Sequence, residues 1–264
     1  MNFHWVYHLP NWLFFLIVIA FFIGISLLGA FLFNSKLEKW LGLTSEHNSI
    51  VSTFLGLSGV FYGITLGLIA VGTFENFNST QEKVVNESSA LAALYRDVTM
   101  LEKPEKATLT NTLYRYTDYV VNTAWPLQQK GIVPTGGTAL MDTFQTLLSQ
   151  YLPESDIDKK VYAEMLSQYN SLIEKRRLRL SAVSTSLPNT IWLILFLGAF
   201  INIILTWLLV IKNKKLDILI NTLSGSLLGA LIFLIAAMDN PFRGEFSISA
   251  ESFQLLLEGL MKRQ

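Results

Sequence analysis

The chain has 264 residues, 51% of them hydrophobic and only 15% charged, with a formal net charge of zero. Soluble domains run nearer 25% charged, and a chain with no excess of positive charge makes no electrostatic case for nucleic acid. The absence of cysteine excludes disulfides, thiolate metal sites and cysteine nucleophiles. His4, His8 and His47 lie apart from any acidic cluster, so no metal and no cofactor is expected.

Apolar residues gather in four blocks, near 12–33, 50–74, 187–211 and 216–238. The first three lack Asp, Glu, Lys, Arg and His, and the fourth carries only Asp217, at its edge. Each is long enough to cross a ~30 Å hydrocarbon core as a helix. The first is not expected to be a signal peptide: it has no basic start, is too long for an h-region, and has no small-x-small cleavage site before the polar loop.

The second block carries Gly56, Gly59, Gly63 and Gly67, small residues whose spacing lets two helix backbones approach closely. The partner is a helix of the same subunit or, as the alternative, of a neighbour. Gly225 and Gly229 repeat the pattern in the fourth block. Beside the first set runs a stripe of Ser58, Tyr62, Thr65, Gly72 and Asn76. That face is a candidate lining for a water-filled path, or a face that hydrogen-bonds to another helix. Asn202 and Thr206, one turn apart in the third block, suit interhelical hydrogen bonding. With no carboxylate or basic group inside the spans, a proton pump is not expected, while a passive path with an apolar constriction remains open.

The segment between the second and third spans reads as helical throughout. Val84, Ser88, Leu91, Tyr95 and Val98 recur at helical spacing towards Pro104, and Leu109, Leu113, Tyr116 and Val120 do so up to Trp125-Pro126. Leu140, Phe144, Leu147 and Tyr151 form a third stripe ended by Pro153. Ser155 with Asp158 offers an N-cap pair for a helix carrying Ile157, Val161, Met165, Tyr169 and Leu172 towards Arg179. The first and last of these helices are expected to continue directly from the spans as a stalk. The organisation is therefore 1–74 with two spans, 75–186 a helical extramembrane domain, 187–238 two further spans, and 239–264 a turn and an amphipathic helix. Phe253, Leu256, Leu257, Leu260 and Met261 mark one face of that last helix, which Ser249 would cap. The fold class is an all-α membrane protein with four transmembrane helices.

An even number of crossings puts Glu87, Arg96, Arg177, Arg179, Asp239 and Arg243 in one juxtamembrane layer. Asp239 ends the fourth span, where the helix dipole disfavours negative charge by up to about 1 kcal/mol. A cationic partner is expected, Arg177 or Arg179 first and Arg96 second. Pro241 stops the helix and Gly244 permits a turn back. The alternative is an ordinary solvated helix end.

Asp239-Asn240-Pro241-Phe242-Arg243-Gly244, followed by Phe246-Ser247-Ile248-Ser249, resembles the C-terminal signature of the bestrophin-like domain family, four-span bacterial membrane proteins. In order along the chain, Glu87 with Ala90-Leu91-Ala92-Ala93-Leu94-Tyr95-Arg96, then Tyr119-Val120 with Trp125-Pro126, then Arg176-Arg177-Leu178-Arg179-Leu180 with Pro188 and Trp192, resemble the family's other motifs. Ser88 and Ala124 depart from the pattern. The resemblance, distantly to the bestrophin ion channels themselves, implies an oligomeric channel-like architecture with termini and helical domain in the cytoplasm. Arg243 interrupts the Pro-Phe-Gly element of true bestrophins. Their acidic calcium clasp has no counterpart, since only Glu245 and Glu251 follow, so calcium gating is not implied.

Basic residues in the short loops and on the domain side leave the positive-inside rule undecided, and the tail before the first span has no Lys or Arg. The family analogy makes the cytoplasmic domain the expectation. The leading functional reading is a homo-oligomeric channel or pore of the cell membrane, with lipid, ions and its own copies as partners. A membrane-anchored scaffold or sensor whose helical domain binds a protein is the alternative. An enzyme is not expected: Glu87, Asp97 and Asp118 come with no nucleophile, base or metal spacing.

Overall fold

The computed structural model describes residues 6–7, 9–32, 34–101 and 104–262. His4 and His8 lie outside them. No strand is found among the described residues. Four helices are long and apolar enough to cross a membrane, which makes this a membrane-embedded, all-α chain. They are α1 (Asn11–Leu32), α3 (Asn48–Thr99), α8 (Asn189–Trp207) and α9 (Lys214–Met238). The chain divides into two compact units. The first holds residues 1–75, 186–239 and 244–246; the second holds 76–185, 240–243 and 247–264.

In the first unit α1 and α9 run antiparallel at close range. A Cβ added to Gly225 would stand 2.8 Å from Ile23 Cα, and one added to Gly229 would stand 2.9 Å from Ile19 Cα. Both glycines therefore serve packing inside the subunit, because only a missing side chain lets the backbones meet. Phe14 and Phe15 set their rings edge-on to Phe233 at one end of this seam. At the other end Ser26 donates to Asn221 Oδ1 at 2.9 Å, and the Trp207 indole donates to Ser26 O while its ring covers Gly29. Asn221 also donates to Asp217 Oδ1 at 2.8 Å and accepts from Thr206. This buried polar knot joins α1, α8 and α9. The short helix α2 (Asn34–Leu41) follows α1, and a capping box of Thr44 with His47 starts the turn that leads into α3.

The second unit has its own apolar core. It is built from the later part of α3, α4 (Glu105–Tyr119), α5 (Trp125–Gln129), α6 (Gly137–Gln150), α7 (Asp156–Ala182) and α10 (Glu251–Leu256). Leu91, Leu94, Val98, Leu109, Leu113, Phe144, Met165, Leu172 and Phe253 are all buried, and Phe144 stacks on Tyr169. Ser155 and Asp158 exchange the two hydrogen bonds of a capping box, 3.0 and 3.1 Å, at the start of α7. On the tail, Phe253, Leu256, Leu257 and Met261 are buried in this core. Ser249 Oγ accepts from the Glu251 amide at 3.4 Å, just ahead of α10.

Two expectations about continuity fare differently. α3 runs unbroken for 52 residues, out of the membrane span and into the second unit. α7 does not continue into α8: it ends at Ala182, and α8 starts only at Asn189, after Pro188. Proline biases its preceding residue away from helix, so Pro188 keeps Leu187 out of the helix just ahead of α8. Conversely, Pro126 does not stop its helix. A π-helical turn over Val120–Ala124 precedes α5, and such a widened turn relieves the clash between a proline ring and the carbonyl a turn earlier.

Candidate functional site

The second unit is organised round a buried charge. Arg179, 1% exposed, forks onto Glu87, 0% exposed, with Nε to Oε2 at 2.6 Å and Nη2 to Oε1 at 3.0 Å. Its Nη1 donates to Gln128 Oε1 at 2.6 Å, and the Tyr116 hydroxyl donates to Glu87 Oε1 at 2.7 Å. The Trp125 and Phe253 rings each lie 5.6 Å from the guanidinium carbon. Burial works against the guanidinium's charge, but the Glu87 carboxylate outweighs it and holds the proton more firmly than usual. The Tyr116 phenol is pushed up, first by burial and then by Glu87. A bidentate, aromatic-flanked pair of this kind is a strong charge-assisted contact. Gln128 Nε2 is buried with no hydrogen-bond partner among the described residues.

The residues after α9 serve both units in turn. Asp239, 6% exposed, accepts from the Leu187 amide at 2.5 Å and from Trp192, at the head of α8. Burial raises its carboxyl above the ordinary carboxylate range, and those two donors offset part of the rise. The sequence reading gave this acid a guanidinium as first partner. The structure gives it an amide at a helix start, where the dipole favours negative charge, and commits Arg179 to Glu87 and Gln128. Glu245 likewise accepts from the Asn11 amide, 2.8 Å, at the start of α1. In the second unit Phe242 is buried edge-on to Trp125, whose indole donates to Ile248 O at 3.2 Å. Arg243 donates to the Lys130 carbonyl at 2.5 Å. Gly244 has φ +79°, a conformation that favours glycine.

Of the remaining charged residues in the expected layer, Arg96 and Arg177 are exposed. Two members, Glu87 and Arg179, thus form one buried pair, while Asp239 binds the Leu187 amide and Trp192, and Arg243 binds the Lys130 carbonyl.

The membrane part of α3 is the second candidate. It touches its own unit along one narrow face. Tyr62 is buried, its ring covers Gly198 and its hydroxyl donates to the Leu195 carbonyl at 2.6 Å. Leu66 is buried beside it, with Leu195, Ala199 and Ile203. Tyr62 therefore locks α3 to α8 and does not line a path: the helical spacing that aligned it with Ser58 and Thr65 places it on the packed edge of that stripe. Ser58, Thr65 and Asn76 are half-buried, Gly72 is exposed, and the Thr65 hydroxyl is satisfied by Phe61 O at 2.9 Å. Among the described residues, a Cβ on Gly56, Gly63, Gly67 or Gly72 would meet nothing within 4 Å, and one on Gly59 would meet only Asn202 Oδ1, at 3.9 Å. Packing inside the subunit, the first reading for this glycine set, therefore does not hold for Gly56, Gly63 and Gly67. Asn202 and Thr206 donate to carbonyls of their own helix, and Thr206 also reaches Asn221.

Sequence reasoning placed Tyr116 on a helical stripe and named Glu245 and Asp217 without these contacts, and it missed Gln128 and the knot of Ser26, Asn221 and Asp217. Only the last left a signal, the four-residue spacing of Asp217 and Asn221.

The fold is shared with solved structures at low identity. A bacterial bestrophin homologue from Klebsiella pneumoniae superposes with a TM-score of 0.72 at 13% identity, covering 94% of this chain and 97% of that one. A mutant of the homologue from that organism gives 0.71 at 14%, covering 93% and 98%. A structure described as a membrane protein gives 0.70 at 14%, covering 94% and 97%. No match to the curated proteins is found. The Bestrophin-like domain matches residues 20–253, and the chain belongs to that family.

Proposed function

We propose that this chain is one subunit of a homo-oligomeric membrane channel that passes small ions passively, with α3 of each subunit beside the path. The family and the bestrophin-like fold support an ion-channel kind of function. The single observation that carries the finer reading is the bareness of α3. Only 11% of its most apolar stretch is buried in the chain, against 22%, 28% and 33% in α1, α8 and α9. At about 100° per residue, three faces follow. Tyr62 and Leu66 face α8. Gly56, Gly63 and Gly67 lie to one side, where copies can approach backbone to backbone. Val60, Ile64 and Val71, each at least 56% exposed, lie opposite α8. In a ring of copies this third face turns to the axis as an apolar constriction that gates by dewetting, and Thr65, Ser58 and Gly72 lie on the remaining side of α3, between that face and α8.

The test is conductance of the purified protein in planar bilayers. Wild type is expected to conduct, and Ile64→Thr to conduct more. Silence across salts and voltages from intact oligomers overturns the reading. By analogy with bestrophins the membrane is the cell (inner) membrane, with the helical unit and termini cytoplasmic. A fusion reporter at Gln264 that works only outside the cytoplasm would overturn that orientation.

The scaffold reading keeps one observation of its own. A groove of about 410 Å³ between α3 and the tail, lined by Ser89, Ala92, Arg96, Leu255 and Leu256, leaves Leu255 65% exposed. A partner captured by the helical unit while the bilayers stay silent would favour that reading over conduction.

A further inference from the structure

The α1–α3 and α8–α9 connections meet at one end of the first unit. The Asn48 side chain holds them together: its amide donates to the Val210 carbonyl at 3.0 Å and its carbonyl accepts from the Val210 amide at 2.9 Å. This clasp brings the two loops' lysines to one end of the bundle, Lys36 and Lys39 on α2 and Lys212, Lys214 and Lys215 at the start of α9. All five are exposed, and among the described residues none has a carboxylate within ion-pair distance. The acids of this end do little to balance them. Asp217 is buried and bound to Asn221, leaving only Glu38 and Glu46 outside. His47 caps the turn through Thr44.

The same end carries unusual apolar exposure. Trp40 is 80% exposed and Leu41 46%, on a short helix whose neighbouring positions are Lys36 and Lys39. A tryptophan beside lysines, next to the ends of membrane spans, suits the headgroup layer: its ring is apolar, its N–H needs a polar neighbour, and lysines reach outward to phosphate. Five cations with an apolar wedge fit a negatively charged bilayer surface better than a protein partner, because the patch borders the lipid-facing ends of α1 and α3.

We infer that this end of the bundle is a binding surface for anionic phospholipid, with Trp40 and Leu41 set among the acyl-chain roots and Lys36, Lys39, Lys212, Lys214 and Lys215 on the headgroup phosphates. The inference is independent of conduction.

The experiment adds phosphatidylglycerol or phosphatidylcholine to the full chain purified in a neutral detergent and reads the thermal midpoint. Phosphatidylglycerol is expected to raise it and phosphatidylcholine not to. Changing all five lysines to glutamine should weaken the apparent affinity for phosphatidylglycerol about tenfold or more. Changing all five to arginine should keep it, as should Lys106→Gln with Lys159→Gln and Lys160→Gln. Brominated phosphatidylglycerol should quench the tryptophan emission of wild type more than that of Trp40→Phe. The idea is overturned if the glutamine set responds as wild type does, if Trp40→Phe is quenched equally, or if inorganic phosphate alone reproduces the shift.

Discussion

Gly225–Gly229 and Gly63–Gly67 are the same pattern, two glycines four residues apart in a membrane helix, and they end in opposite circumstances. The α9 pair is filled: the α1 backbone occupies the space that side chains would need. The α3 pair is empty, with no described residue within 4 Å of an added Cβ. A small-residue motif therefore states that close approach is possible without stating by what. In the filled case the partners are Ile23 and Ile19, far off in the same chain; in the empty case the proposed partner is another copy.

The comparison can be broken most violently at the filled pair. Gly229→Leu puts a branched side chain into Ile19 Cα, 2.9 Å from where even a Cβ would stand, and neither backbone can yield. The expected result is no monodisperse protein on size exclusion in detergent. A well-behaved variant would show that the α1–α9 seam is looser than described.

Next in size is the buried pair of the second unit, which contrasts with the bare face of α3 because every partner lies within the chain. Glu87→Ala leaves Arg179 buried and uncompensated, and should cost about 3–5 kcal/mol, read as a large drop in thermal midpoint. Replacing both with apolar residues, Glu87→Leu with Arg179→Met, should recover much of that loss.

The empty pair should behave differently again. Gly63→Leu with Gly67→Leu should leave the subunit's own stability within about 0.5 kcal/mol, yet reduce the mass of the assembly measured by light scattering. If the mass holds and stability falls, these glycines pack inside the subunit after all.

Smallest is the effect at Asp239. Its folded carboxyl is raised above the ordinary value of 3.8. Its contribution to stability is therefore fully present below pH 3.8 and is lost as pH rises through the folded pKa. Asp239→Asn, which keeps an oxygen for the Leu187 amide, should flatten that part of the stability-against-pH curve.

The sequence was legible wherever one residue type or one short spacing decides the outcome. Uncharged blocks mark the spans, Ser155 with Asp158 marks a helix start, and Phe253, Leu256, Leu257 and Met261 mark the inward face of the tail. It was not legible where two contacts share one spacing. Tyr62 lies in register with Ser58 and Thr65, and only the bare Gly198 opposite reveals that it packs. Partners far apart along the chain were also hidden. Glu87 and Arg179 were both picked out as juxtamembrane charges, but nothing local ties them to each other, or Asp239 to the Leu187 amide. The π-helical turn before Pro126 escaped for a related reason: a proline reads as a stop unless an extra residue has been fitted into the turn before it.

The bond from Asp239 to Leu187 also bears on how the chain is made. Its two ends lie at the close of α9 and the head of α8, so the donor leaves the ribosome 52 residues before its acceptor exists. Until the carboxylate arrives, that amide has only water or headgroups to bind. A chain cut short at Met238 would lose the acceptor that fastens the head of α8 to the end of α9.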